Sequence, residues 1–142
     1  MQIAISRRSI SSAAASKAVD AAVAKGRERG AAIVAAVVDI GGDLMACLRA
    51  DGAFSASVGI AKDKAYTAAV FGASTDELSN ALKSNPVLHH GIAIRPGVVL
   101  FGGGLPIVED GAVIGGVGVS GGSEEDDREC AKAGAAALAA TA

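Results

Sequence analysis

The chain is short of large aromatic side chains. Its 142 residues include no Trp, one Tyr and three Phe, although 51% of the residues are hydrophobic. Much of that share is alanine, which buries little area, and burial of apolar surface at about 25 cal/mol per Å² is the main stabilising term. A monomer would have a thin core, while small residues let helices approach closely. We therefore expect a homo-oligomer.

The chain also lacks an excess of charge of either sign. Thirteen basic and 15 acidic residues leave a formal net charge of −2, with no basic stripe for nucleic acid. Cysteine is scarce, since Cys47 and Cys130 lie far apart without CxxC spacing. The spacing excludes a zinc-finger or dithiol redox motif. We expect both cysteines to be small buried hydrophobes in a reducing compartment.

No long apolar run is present. A membrane span needs about 18 consecutive apolar residues, and no stretch approaches that length. Residues 6–9 (SRRS) resemble the start of a twin-arginine signal, but a signal peptide needs an uninterrupted apolar segment of about 7–15 residues. Lys17, Asp20 and Lys25 interrupt the alanine-rich run that follows. The pattern favours an amphipathic first helix, and we expect a soluble cytoplasmic protein.

Glycine is abundant, and it concentrates in residues 101–122 (FGGGLPIVEDGAVIGGVGVSGG). Two apolar strands, residues 105–108 and 112–119, are predicted here, joined by a tight turn at residues 109–111. Glycine inside a strand usually marks a bulge or the close approach of another backbone or a ligand. We expect this hairpin to lie in the middle of an antiparallel sheet.

The remaining segments complete an α+β pattern. Apolar periodicity, caps and turn residues predict helices at residues 9–29 and 54–71, a short helix from residue 75, and a last helix capped by Ser123 and Asp126. Further strands are predicted at residues 31–40, 44–49 and 98–101, and a loop at residues 87–96. This order predicts one domain over residues 1–142, with a single antiparallel sheet of about five strands and helices packed on its faces.

A spaced series of motifs runs through the chain. In order these are Asp39-x-Gly41-Gly42-x-Leu44, Arg49-x-Asp51-Gly52-Ala53, Lys64-Ala65-x-Thr67-Ala68, residues 102–107 (GGGLPI) and residues 111–121 (GAVIGGVGVSG), followed by Asp127 and Ala131. As a set, these motifs resemble the GlcG/HbpS family, also called the DUF336 domain. The resemblance covers essentially the whole chain.

The resemblance implies a profilin-like domain that assembles into oligomers, often octamers. Some members of the family bind haem, among them an extracellular haem sensor and a C-terminal domain of certain corrinoid adenosyltransferases. Others are encoded in catabolic operons. Haem-binding members can use a histidine early in the first helix, whereas the two histidines of this chain are His89 and His90.

Arg49 and Asp51 flank the exit of a predicted strand. They could form an anion anchor with a carboxylate that orients it or moves a proton, or simply a surface ion pair. Lys64 and Thr67 share a helix face, since residues three apart are neighbours on a helix. Lys64 could bind a carboxylate or a haem propionate, or act as a desolvated base; the alternative is a solvated face.

His89 and His90 are adjacent, which is not the spacing of a helical zinc pair. Either could be a general base or an axial haem ligand, or an exposed loop residue. Ser120 precedes the start of the last helix, where free backbone N–H groups can hold an anion. The acidic residues 124–127 crowd that first turn and favour capping instead.

Three hypotheses follow. The first is a binding protein that holds haem or a small anionic metabolite in a cleft between the sheet and the second helix, with no other metal or cofactor. Its site would comprise Arg49, Asp51, Lys64, Thr67, Gly102, Gly103, Gly104 and Ser120. The second is a cofactorless isomerase, tautomerase or lyase that uses Lys64, Asp51 or His89 for proton transfer on a carboxylated substrate. The third is an assembly protein without a ligand.

Overall fold

The computed structural model describes residues 1–139. Along this range the elements follow in the order α1 (Ser12–Glu28), β1 (Val34–Asp39), β2 (Leu44–Arg49), α2 (Ala56–Phe71), α3 (Thr75–Leu82), α4 (Pro86–Ala93), β3 (Gly104–Glu109), β4 (Ala112–Ser120) and α5 (Glu124–Ala139). No helix within this range is long and apolar enough to cross a membrane.

Across residues 1–139 the sheet has four antiparallel strands in the order β2-β1-β4-β3. The α+β fold class is confirmed, but the fifth strand predicted at residues 98–101 is wrong. The backbone N–H of Val99 donates to the Thr67 hydroxyl at 3.0 Å, and that of Gly102 to the Glu124 carboxylate at 2.9 Å. Side chains therefore accept hydrogen bonds from backbone N–H groups that, in a strand, would donate to the neighbouring strand.

The glycine-rich hairpin forms as predicted, but only half of it is central. Asp110 and Gly111 make the two-residue turn with φ values of 50° and 77°, which is why glycine and a short acidic residue occupy it. β4 lies between β1 and β3, whereas β3 is an edge strand. The prediction of a hairpin in the middle of the sheet is thus right for β4 and wrong for β3.

The glycines of β4 allow a helix to pack directly against this strand. A Cβ atom on Gly118 would collide with the backbone carbonyl oxygen of Ala61, and one on Gly116 with that of Ala65. α2 therefore packs with its backbone directly against one face of β4. The backbone that approaches these glycines belongs to the chain itself. Along this contact there is no cleft between the sheet and the second helix, contrary to expectation.

The opposite face of the sheet carries α1 and α5. Val117, which points away from α2, lies under α5 at Gly134, and α1 packs beside α5. β1 is buried on both faces, from Val34 to Val38. Cys130 on α5 is fully buried as predicted, whereas Cys47 on the edge strand β2 is exposed, contrary to prediction.

The predicted loop with the two histidines is a helix, α4. Asn85 is its N-cap, since its side-chain oxygen accepts the N–H of Leu88 at 3.1 Å, and Pro86 occupies the first turn, where no N–H is needed. None of the residues of α4 is buried. Asn85 and Pro86 thus follow the end of α3 and begin α4.

The close approach of α2 makes a direct test of the fold. We expect Gly118→Ala to lower the free energy of unfolding by at least about 2 kcal/mol, because the new methyl group meets rigid backbone. Gly59→Ala, on α2, is the matched control, since open space surrounds that position and alanine favours helix by about 1 kcal/mol. Urea denaturation measures both. Equal effects would contradict the packing described.

Candidate functional site

A pocket of about 320 Å³ lies where α2, the end of β4 and the start of α5 meet. Three exposed apolar side chains, Phe54, Ile60 and Phe101, stand beside the ionisable Lys64 and Asp127 in its lining. We call it the Lys64 pocket. It combines an exposed apolar rim with a buried pair of charges, and for this reason we take it as the candidate site.

A larger depression of about 770 Å³ lies between β3 and the helices α1 and α5. Its walls are mainly aliphatic, with Ile107, Ile114 and Ala135 among them, and its charged groups, Glu109 and Asp110, are exposed. It also adjoins Ala139, the last residue that the structure describes. Size alone therefore does not make it the candidate site.

Lys64 and Asp127 form a buried ion pair next to the pocket. The Lys64 side chain is 1% exposed; its ammonium donates to the Val119 carbonyl oxygen at 2.8 Å and to Asp127 Oδ2 at 3.2 Å. The same nitrogen lies 5.0 Å from the centre of the Phe101 ring. Asp127 Oδ1 accepts the N–H of Gly122 at 3.0 Å. Both charges thus have partners inside the protein.

Burial moves the two proton affinities towards each other. It lowers the pKa of the Lys64 ammonium and raises the pKa of the Asp127 carboxyl, because each charged form loses hydration. Their mutual attraction opposes both shifts without cancelling them. The pair is thus easier to neutralise by proton transfer than an exposed pair would be.

The three predicted glycines shape the space around this pair. A Cβ on Gly103, whose φ is +119°, would lie 2.9 Å from Lys64 Nζ and 2.7 Å from the Val119 carbonyl oxygen. On Gly104 it would lie 2.6 Å from the Lys64 carbonyl oxygen, and on Gly102 it would lie 2.6 Å from Arg128 Nε. Gly103 and Gly104 are therefore needed for close packing against backbone, whereas at Gly102 only the end of the Arg128 side chain would have to move. The N–H groups of Gly102 and Gly104 are bound by Glu124 and Thr75.

An ion-pair network borders the pair. Arg128 donates to both Asp76 oxygens at 2.9 and 3.0 Å and to Glu124 at 2.8 Å, linking α3 to α5. The Arg128 guanidinium lowers the pKa of Asp76. The sequence predicts no site role for Asp127 or Arg128. The acidic residues 124–127 were expected to cap the helix, and Asp126 does bind the Ser123 cap. The signal that sets Asp127 apart from Asp126 is its place in the series of spaced motifs.

Thr67 is buried but does not line the pocket. Its hydroxyl lies 2.8 Å from the Asp63 carbonyl oxygen and 3.0 Å from that of Gly97, and it accepts the N–H of Val99 at 3.0 Å. Thr67 thus fixes the segment that leads to Phe101. Ser120 does line the pocket, where its hydroxyl lies 3.3 Å from the hydroxyl of Ser57.

The structure does not bring the other predicted residues to this pocket. Arg49 is exposed and donates through Nε to the Ala53 carbonyl oxygen at 3.0 Å, directly before Phe54. Asp51 lines a separate shallow depression with Arg27. His89 and His90 lie on α4, and neither lines the Lys64 pocket. Within residues 1–139 no group of three or more His, Cys, Asp or Glu residues could hold a metal ion.

Comparison with known families identifies the family of this chain. The family model described as "Haem degrading protein HbpS-like" matches residues 10–136. The chain belongs to the HbpS-like family. This confirms the resemblance that the motifs indicated.

Solved structures of the family share the fold. Protein ORFY of Klebsiella pneumoniae is 34% identical, with a TM-score of 0.92 over 99% of this chain and 97% of that one. A doubly substituted HbpS of Streptomyces reticuli is 36% identical, with a TM-score of 0.86 over 95% and 90% of the two chains. PduOC, solved as a complex with haem, is 32% identical, with a TM-score of 0.80 over 91% and 94%. The chain is thus similar to a haem-bound protein over most of its length.

The buried pair makes a prediction about stability. Asp127→Asn leaves Lys64 buried beside a neutral amide, and we expect the free energy of unfolding at pH 7 to fall by about 3–5 kcal/mol. Without the carboxylate the pKa of Lys64 falls further below the ordinary value of about 10.4. Between these two pKa values the unfolded chain binds more protons, so the stability of the variant rises with pH and the deficit shrinks.

Urea denaturation at pH 7 and at pH 9.5 measures both effects. Glu28→Gln is the control, because Glu28 pairs with Lys25 at 3.3 Å on the exposed surface of α1. Exposed pairs contribute about 0–1 kcal/mol. A deficit in Asp127→Asn that matches the control, or that grows with pH, would show that the pair does not stabilise the fold as described.

Proposed function

We propose that this HbpS-like protein binds a small ligand with a flat apolar body in the Lys64 pocket, with haem as the first candidate. The proposal rests on the rim of the pocket. Phe54 is 69% exposed and Phe101 is 51% exposed, and both line the same depression beside Ile60. The chain has only three Phe residues, so two of its few large rings stand in solvent at one site. Exposed apolar clusters of this kind mark binding surfaces.

The relatives support a porphyrin as the ligand. PduOC was solved with haem, and it matches 91% of this chain. The pocket of this protein offers apolar contacts to the ring of such a ligand but no usual ligand to its iron. Neither histidine lines the pocket, and the Lys64 ammonium is already bonded to Val119 and Asp127. We therefore assign no iron-based chemistry to these residues.

A small carboxylate metabolite is the other ligand class expected from the sequence. Lys64 is the cation that lines the pocket, and Glu124 and Asp127 are acidic residues of the same lining. An anion would have to displace Asp127 from Lys64 and approach a second carboxylate. This balance of charge favours an apolar ligand over a small anion.

An enzyme that transfers protons remains the second candidate, and the Lys64–Asp127 pair favours it. Burial moves the pKa values of the two groups towards each other, which is typical of groups that exchange protons. Asp51 and His89 lie away from this pocket, so Lys64 would be the base. If the protein is such an enzyme, Lys64→Met abolishes turnover of a carboxylated substrate. Because this variant leaves Asp127 buried without its cation, circular dichroism must show that the variant is folded before the loss is assigned to the base.

Assembly into a homo-oligomer, as large as an octamer, stays a prediction. The apolar surface of α4 supports it, since Val87 is 84% exposed and Ile94 is 70% exposed on a helix without buried residues. An isolated helix of eight residues is marginal in water, so cover by a second copy would stabilise it. Light scattering on the wild type and on Ile94→Ser tests this, and a monomeric wild type would contradict it.

The ligand proposal has a matched set of variants. We expect Phe54→Ala and Phe101→Ala each to weaken hemin binding about tenfold, because covering an exposed ring contributes about 1.5 kcal/mol, the lower end of the range for a fully buried side chain. Phe71→Ala is the control, since Phe71 is also exposed but lies at the far end of α2 and outside the pocket. Titration followed at the Soret band gives the affinities. No hemin binding, or an equal loss in Phe71→Ala, would refute the assignment of this pocket.

A further inference from the structure

We infer that the Lys64 pocket recognises the face of a flat ring and supplies no ligand to a metal at its centre. Metal-free porphyrin should then bind as tightly as haem. The inference rests on the proposed function, and it makes the ring face the determinant of specificity. The inference follows from the bonds that the side-chain nitrogen and oxygen atoms of the pocket lining already make within the protein.

The usual iron ligands are absent from the lining. Haem iron in proteins is held by His, Cys, Met or Tyr side chains. The lining residues, as far as the structure describes the chain, include none of these four types. Tyr66, the single tyrosine, packs against Gly42 and Gly97 instead. His89 and His90 are held on α4, which packs mainly against α3.

The remaining nitrogen donor is enclosed. Lys64 could ligate iron only through a neutral amine that reaches the ligand. Its side chain is 1% exposed, and its nitrogen is bound by Val119 and Asp127 below the ring of Phe101. Releasing it would leave Asp127 buried without its cation, which is costly.

Most of the oxygen donors are also in use. Asp127 has one oxygen on Lys64 and the other on the N–H of Gly122. Glu124 accepts from Gly102 at 2.9 Å and from Arg128 at 2.8 Å, both through Oε1, and a carboxylate is not among the usual ligands of haem iron. Ser57 and Ser120 bind each other and are almost fully buried. What the pocket offers freely is the apolar surface of Phe54, Ile60 and Phe101.

The test compares hemin with metal-free protoporphyrin IX on the full chain. Each affinity is measured by titration, and hemin is also added in competition against the fluorescence of bound protoporphyrin. We expect dissociation constants within about threefold of each other, and an equal loss of about tenfold for both porphyrins in Phe54→Ala. The double variant His89→Ala/His90→Ala should bind both porphyrins as the wild type does. Glu124→Gln, in the pocket lining, should change the two affinities by the same factor, because the inference gives Glu124 no contact with iron.

Two results would overturn the inference alone. One is hemin binding more than tenfold tighter than protoporphyrin while Phe54→Ala still weakens it. The other is a loss of hemin affinity, but not of protoporphyrin affinity, in the histidine or Glu124 variant, which would reveal an iron ligand from this chain or from a second copy. If neither porphyrin binds, or if Phe54→Ala changes nothing, the proposed function itself fails and the inference with it.

Discussion

The contact between Lys64 and Asp127 joins the two helical layers of the protein. Lys64 comes from α2 on one face of the sheet and Asp127 from α5 on the other, and the pair meets at the end of β4 through the Val119 carbonyl oxygen. A buried charge without its partner is costly, so the position of each helix depends on the other. The same contact requires glycine at position 103, because the side chain of any other residue at Gly103 would collide with the ammonium group.

The pair also determines what the neighbouring pocket offers. Because Asp127 and Val119 already bind the Lys64 ammonium, the cation is part of the framework and little of it is left for a ligand. The freely available surface is apolar and aromatic, supplied by Phe54 and Phe101. Lys64, which the sequence suggested as a cation for an anionic ligand, is paired with Asp127 in the structure.

Local sequence signals predicted the positions of strands, turns and caps better than they predicted which distant residues these segments contact. β2 runs over Leu44–Arg49 as expected, and the turn at Asp110 and Gly111 and the Ser123 cap form where their residue types predicted them. Such features depend on neighbours within a few residues. The segment at residues 98–101 looked like a strand because it is apolar. The N–H of Val99 instead donates to Thr67 and that of the following Gly102 to Glu124, and both acceptors lie far away in sequence.

The sequence by itself determined the α+β class, the family, the glycine-rich hairpin and the short list that contained Lys64 and Ser120. It did so because turn chemistry, apolar periodicity and spaced motifs are properties of adjacent residues. Only the tertiary structure decided that Lys64 is buried, that its partner is Asp127, 63 residues away, and that Asp51 and His89 lie elsewhere. The reason is physical: whether a charge is solvated or paired depends on which elements pack around it, and that packing is set by the whole chain.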